Sequence, residues 1–374
     1  MGEFTREDLI EFQSENLNQK FQRTLAKVAE WYSRWNKEVY VSFSGGKDST
    51  VLADICARWC TIVNCPLYLV FCDTGLEFPE IRKNVNRVAE FLREKYEIEV
   101  VLETIRPTMR FDQVLKKHGY PLISKDVSQR VRKARISIKK GVYSTRLRQL
   151  DVRREEYGGL YDSGKFDYDK HAENSKYYTP KYRPLLDVDF RISEQCCDVM
   201  KKKPFALYEK QTGRKPIVAT LANESINRKA SWYKYGCNAF QAKKPSSRPM
   251  SFWTEQDVLQ YILEESLPLA EVYGDIVPSD PKAIITQEGE CPPLKTTGCD
   301  RTGCMFCAFG CTQESEPRFE RLKETHPRQW KYCIGGGEHN TEGVWEPNKQ
   351  GLGLGYVFDE LNGIFGENFI RYGK

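Results

Sequence analysis

The chain has 374 residues, 29% of them charged and 40% hydrophobic, with a formal net charge of +5. No apolar run approaches the roughly 20 residues that cross a bilayer, and Met1 to Asp8 lack the basic-then-apolar layout of a secretion signal, which argues against membrane and secreted classes. A cytoplasmic enzyme of about two or three domains is expected, and its 13 cysteines then read as thiols or metal ligands rather than disulfides.

Residues 6–35 predict one amphipathic helix, with Leu9, Phe12, Leu17, Phe21, Leu25, Val28 and Trp31 at near-helical spacing, inside an N-terminal segment 1–36. The run Val39 to Phe43 is a first strand, and it leads into Ser44-Gly45-Gly46-Lys47-Asp48-Ser49. Two residues without Cβ let the chain turn tightly and aim successive N–H groups at one anion, where the helix that follows adds its positive dipole end. Lys47 adds a full charge. The spacing differs from the G-x-x-x-x-G-K-[ST] loop, because only two adjacent glycines precede the lysine.

Helix from Thr50 to Ile62, the fully apolar strand Leu67 to Phe71, helix from about Pro79 to Lys95 and a strand at Ile98 to Glu103 give alternating elements, hence an α/β fold with a doubly wound, mainly parallel sheet. Ligands of such sheets bind beyond the carboxyl ends of strands, where both Ser44 to Ser49 and Asp73-Thr74-Gly75 fall. Asp73 would hold a ribose hydroxyl or a metal ion, or simply cap a turn. From about 120 to 190 the chain turns polar and basic, which reads as a helical insertion in a nucleotide-binding domain spanning 37–265. Its stretch from Lys125 to Arg154 is either a polyanion surface for DNA or tRNA or a solvated helical face. A fourth strand, Pro216 to Leu221, restores the sheet and runs into Glu224, Ser225 and Arg228. There Arg228 would clamp an anion or pair with Glu224. Thr254 before Asp257 is a capping box opening a helix.

A cysteine-rich region, 266–374, completes the chain. Cys304 and Cys307 form a C-x-x-C, and the adjacent pair Cys196-Cys197 can supply two more thiolates. A cubane cluster suits these four better than one zinc ion, because its separate iron corners accept ligands whose Cα atoms are forced together. The alternative is a local zinc knuckle of Cys299, Cys304, Cys307 and Cys311. Cys56, Cys60, Cys65 and Cys72 read as small core residues. Cys237, Cys291 and Cys333 stay unassigned, and Cys311 or Cys333 is a candidate redox thiol.

Taken together, Ser44 to Ser49, Asp73 to Gly75, Cys196-Cys197, Glu224-Ser225 with Arg228, and Cys304 to Cys307 resemble the phosphoadenosine phosphosulfate (PAPS) reductase family of the PP-loop ATP pyrophosphatase superfamily, in its iron–sulfur branch. The resemblance implies an adenine nucleotide, ATP or adenylyl-sulfate or PAPS, on Ser44 to Ser49. It also implies a [4Fe–4S] cluster on Cys196, Cys197, Cys304 and Cys307 beside that nucleotide. Lys47, Asp48 and Arg228 would be catalytic, Asp48 holding Mg²⁺ or orienting the loop. Reductases of this family carry a nucleophilic cysteine in a C-terminal Glu-Cys-Gly-Leu-His motif, and no cysteine follows Cys333 here. The expected activity is therefore that of the relatives that modify DNA or tRNA with sulfur, in which ATP adenylates a nucleic-acid oxygen and sulfur from a cysteine desulfurase displaces the adenylate. Sulfite release from a sulfonucleotide with a thioredoxin-like donor is the alternative, and a non-catalytic nucleotide or nucleic-acid binding module the third reading.

Overall fold

The computed structural model describes residues 4–162, 177–280 and 291–374. The chain divides into two compact units, one of residues 1–107 and 203–303, the other of residues 108–202 and 304–374. The sequence reading placed its boundaries elsewhere, with a domain to 265, an insertion at 120–190 and a tail from 266. Here the tail after Gly303 shares a unit with 108–202.

In the first unit, helices α1 (Arg6–Ser14) and α2 (Leu17–Arg34) replace the single expected helix. The break comes from Asn16, whose side chain accepts the Gln19 N–H while the Gln19 side chain accepts the Asn16 N–H, a capping box that starts a new helix. Strands β1 (Val39–Phe43), β2 (Leu67–Cys72) and β3 (Val100–Ile105) alternate with helices α3 (Lys47–Val63) and α4 (Pro79–Tyr96). The sheet runs β3, β2, β1, Lys215–Val218, Ser246–Ser247, Asn238–Ala239, parallel except for the last pair. The β3 ladder sits slightly later than the Ile98 to Glu103 expected, and the fourth strand ends at Val218 rather than Leu221. The α/β class with a mainly parallel sheet stands.

Period-two alternation sends successive side chains to opposite faces. Val39, Val41, Phe43, Leu67, Leu69 and Phe71 enter the large core with α2, α3 and α4, whereas Tyr40 and Val70 meet Tyr208 of the helix Lys203–Thr212 on the other face. A buried charge sits inside the large core. Asp54 of α3 is fully buried and is held by Lys95 Nζ at 3.0 Å, Tyr96 Oη at 2.8 Å and Tyr261 Oη at 2.7 Å. A buried carboxylate needs such partners, and these stitch α3 to α4 and to the helix Glu255–Glu264. That helix starts on the Thr254–Asp257 capping box expected from the sequence, and Lys20 of α2 binds Asp257 at 2.8 Å. Among the described residues, no helix is long and apolar enough to cross a membrane.

The second unit is helical, with Lys125–Lys139 and Leu354–Phe365 as its long elements and the buried rings of Phe319 and Phe358 4.9 Å apart. Its basic stretch is not one open surface. Arg130 is buried and bonds Tyr177 O at 2.6 Å and Thr179 Oγ1 at 2.7 Å, and Arg132 pairs with Glu194 at 2.6 Å. Arg135 donates to the carbonyls of Leu185 (2.8 Å), Leu186 (3.2 Å), Val188 (2.7 Å) and Phe190 (2.6 Å). Arg130 and Arg135 thus satisfy backbone carbonyls outside any strand ladder, and Arg132 a carboxylate. Lys125, Lys139, Lys140, Arg153 and Arg154 are the exposed cations of the stretch. Arg135→Ala leaves those carbonyls without a donor and should cost about 3 kcal/mol or more; a lowered thermal midpoint, with no rescue by Arg135→Lys, checks this.

Candidate functional site

The turn between β1 and α3 is built around Gly45, whose φ is +73°. A Cβ there would lie 2.7 Å from Val85 Cγ2 and 3.0 Å from Ile81 O of α4, so both handedness and space call for glycine. Asn84 of α4, also buried, donates to the Gly45 carbonyl at 3.0 Å. Ser44 and Ser49 bond each other through their hydroxyls at 3.0 Å, and the Ser44 N–H donates to Ser49 Oγ at 3.2 Å. Gly46 caps α3 without a side-chain acceptor, so the first amides of a 17-residue helix face the turn.

Lys47 is 4% exposed and already engaged. Its Nζ donates to Asp300 O at 2.7 Å and pairs with Glu255 at 3.0 Å, while its N–H donates to Tyr273 Oη at 3.3 Å. Tyr273 Oη in turn bonds Thr302 Oγ1 at 2.6 Å. Burial opposes charge on Lys47, but Asp48, Glu255 and Tyr273 outweigh it and raise its pKa.

Asp73 closes a short Asx turn onto the Gly75 N–H at 3.2 Å and pairs with Arg82 at 2.8 Å. Thr74 is buried against Glu77, its hydroxyl 2.7 Å from Oε1, and Gly75 has a φ of +80°. Glu224 pairs with Arg228 and, at 3.7 Å, with Arg301; Ser225 caps the helix Ile226–Tyr235 by accepting the Arg228 N–H at 3.3 Å. Arg228 therefore does pair with Glu224. Burial, then repulsion from Arg301 and Arg248, lowers its pKa against the pull of Asp48. Lys47, Asp48, Glu224, Arg228, Arg248 and Arg301 thus meet at the carboxyl ends of β1 and Lys215–Val218, the switch point where the strand order reverses.

Sequence reasoning missed Asn84, Glu255, Tyr273, Asp300, Thr302, Arg248 and Arg301. None lies in the loop, and the helix opened by Glu255 reads as purely structural from its capping box.

In the second unit Cys196 Sγ and Cys197 Sγ stand 4.0 Å apart, and Cys304 and Cys307 are joined by a turn in which the Cys307 N–H donates to Cys304 O at 3.1 Å. The charge on Cys196 feels Cys197, Cys307 and Cys304, so the four thiols share one neighbourhood. Cys197 is the more acidic of the adjacent pair, through the hydrogen bond from Cys196 and the nearby Lys125 and Lys201 ammoniums. Among the described residues, no group of three or more His, Cys, Asp or Glu is close enough to hold one ion. Cys299 belongs to the first unit, its N–H on Val272 O at 2.9 Å.

Residues 38–152 match the phosphoadenosine phosphosulfate reductase domain. The resemblance carried by Ser44 to Ser49 is borne out over that stretch, which holds β1, the Ser44 to Ser49 turn, α3, β2, α4 and β3. A curated relative, the sulfate adenylyltransferase subunit 2 of Maricaulis maris (strain MCS10), is 31% identical over 102 residues, 24% of this chain. The chain spans only 33% of that protein's length. Among solved structures, an NMN synthetase from Francisella tularensis is 11% identical with a TM-score of 0.31, over 68% of this chain and 73% of its own.

Within the matched stretch, Gly45→Ala should cost about 1–3 kcal/mol through its left-handed backbone and the contact with α4. A lower melting temperature, together with loss of any thermal stabilisation by added ATP, is the expected readout.

Proposed function

We propose that this protein is a PP-loop enzyme that binds an adenine nucleotide on Ser44 to Ser49 and acts at its α-phosphate, releasing pyrophosphate from ATP. The observation that carries the reading is the Ser44 to Ser49 turn with Lys47, Arg228, Arg248 and Arg301 gathered beside it, cations now balanced by Asp48, Glu224 and Glu255 whose partnership a polyphosphate could take over. Gly45 and Gly46 would offer backbone N–H groups, and the Ser44 and Ser49 hydroxyls, now bonded to each other, would donate to phosphate oxygens. Lys47, released from Asp300 O and Glu255, would meet charge developing on the departing pyrophosphate. Asp48 and Asp73 would hold Mg²⁺ or order the loop and the ribose, with Thr74 and Gly75 shaping that wall. Glu224 and Ser225 would position Arg228 as the second anion clamp.

The finer part of the proposal is sulfur transfer. An acceptor oxygen, in DNA or tRNA, would attack the α-phosphorus with loss of pyrophosphate; the outer sulfur of a donor persulfide would then displace AMP, and a second thiol of that desulfurase-type donor would cleave the resulting S–S bond, leaving sulfur on the nucleic acid and a disulfide on the donor. The name of the Maricaulis relative describes adenylyl transfer, which supports this order of events. The exposed Lys139, Lys140, Arg153 and Arg154 are the cations of the basic stretch that would meet a nucleic acid.

Cys196, Cys197, Cys304 and Cys307 would hold the [4Fe–4S] cluster. Their shared neighbourhood supports this set of ligands. When bound, such a cluster would supply electrons, local charge or a sulfur-binding iron, while Lys125 and Lys201 would balance the thiolate charge.

Sulfonucleotide reduction is the second reading, favoured by the domain match itself. It needs an accessible thiolate. Cys333 is fully buried and its thiol is pushed well up, and burial pushes the Cys311 thiol up to about 12, so neither suits that role.

Pyrophosphate release from ATP, with and without an oligonucleotide, tests the main reading. Lys47→Ala should lower the rate by roughly 100-fold or more, and Arg228→Ala should raise the KM for ATP by about 10-fold. Sulfite from a sulfonucleotide and a dithiol, with no pyrophosphate from ATP, would replace it by the second reading. Protein purified without oxygen should contain iron and acid-labile sulfide in equal amounts, both lost in Cys197→Ser; zinc without sulfide would refute the cluster.

A further inference from the structure

Helix α3 ends, at the opposite terminus from the Ser44 to Ser49 turn, in a left-handed residue, Asn64 with a φ of 46°. The Cys65 N–H donates to Cys60 O at 3.1 Å and the Asn64 N–H to Thr61 O at 3.4 Å. Those two bonds make a Schellman closure, in which the side chains three positions inside the helix end and two beyond it are brought into contact. The contact is ordinarily apolar; here both positions are cysteine. The closure sets the two thiols side by side, and each acts on the other's charge. Cys60 is fully buried, with Tyr32 Oη 3.4 Å and Pro66 O 3.7 Å from its sulfur, whereas Cys65 is half-buried. Lys37, whose Nζ donates to Val63 O at 2.9 Å, places an ammonium beside Cys65.

We propose that Cys60 and Cys65 are a thiol–disulfide exchange site, with Cys65 the attacking thiol and Cys60 the resolving one, and low-molecular-weight disulfides as the substrate class. The Cys60 thiol, against partial burial and with help from Lys37, pulls the Cys65 thiol down to about 7, while Cys60 is pushed far up. One thiol is thus poised to attack and the other stays protonated until its neighbour is modified. The Cys65 thiolate attacks one sulfur of the external disulfide, the S–S bond breaks, and one thiolate departs. The Cys60 thiol then loses its proton and attacks Cys65 Sγ, expelling the second thiolate. One protein dithiol and one small disulfide become one protein disulfide and two small thiols, the two electrons moving from protein to reagent. The site needs neither the nucleotide nor a metal, so its test is independent of the activity proposed above.

The full chain is equilibrated with reduced and oxidised glutathione at increasing oxidised fraction, quenched with an alkylating agent and digested. The expected result is a Cys60–Cys65 disulfide, seen as loss of two hydrogens and of both alkyl groups from the peptide holding them, assigned by fragmentation and reversed by dithiothreitol. Cys60→Ala, or Cys60→Ser if the smaller residue destabilises the core, should instead accumulate glutathione on Cys65. Both thiols alkylated at every ratio, a lasting glutathione adduct on Cys65 in the native protein, or a bond from Cys60 to Cys56 would each overturn the proposal.

Discussion

Gly45 keeps its left-handed backbone because α4 fills the space where a side chain would be, and the rest of the carboxyl edge is organised around that close approach. Ile81 and Val85 set the distance, and the Asn84 amide fixes the direction of the peptide. With the turn fixed, α3 starts where its first amides face outward beyond β1. The helix is then held along its length by a buried carboxylate, Asp54, whose partners come from α4 and from the helix Glu255–Glu264. That bond to Tyr261 holds the latter helix against α3, and the first residue of that helix, Glu255, is the one that reaches Lys47. A core electrostatic anchor and the Ser44 to Ser49 turn are therefore two ends of one arrangement. Removing a partner from a buried ion costs far more than the net worth of the pair, so core substitutions around Asp54 would be felt in the loop.

Much of this was legible in the sequence where a local rule has no competitor. Apolar runs gave the parallel strands, and two residues without Cβ before a lysine gave the tight turn from β1 into α3. The break at Asn16 was missed although Asn16 and Gln19 stand at capping-box spacing, because the apolar periodicity continues across it. Lys47 has partners at 255, 273 and 300 that no window around residue 47 contains. In the basic stretch the error was physical. Charge spacing does not say whether a guanidinium faces water or loop carbonyls, and Arg130, Arg132 and Arg135 are held by internal partners. The Cys60–Cys65 contact was also readable in principle, since an Asn at a helix end followed by Cys, with Cys five residues earlier, fits the closure that joins them.

Cysteine serves several structural ends in this chain. Cys56 and Cys237 behave as small buried residues whose thiols are held protonated by their surroundings. Cys196 and Cys197 polarise each other at the start of a π-helical turn, and Cys60 and Cys65 do so across a helix terminus. In both pairs one thiol is favoured as thiolate at its neighbour's expense, so what separates them is the company they keep: other thiols and two lysines in one case, a tyrosine and one lysine in the other.

The ammonium of Lys47 does not wait bare. It already has a carbonyl oxygen and a carboxylate, so an arriving anion gains only the difference between its own attraction and theirs. A singly charged ligand would find that exchange close to neutral and leave the lysine where it lies. Several charges on one flexible tail shift the balance, which turns an occupied side chain into a counter of negative charge.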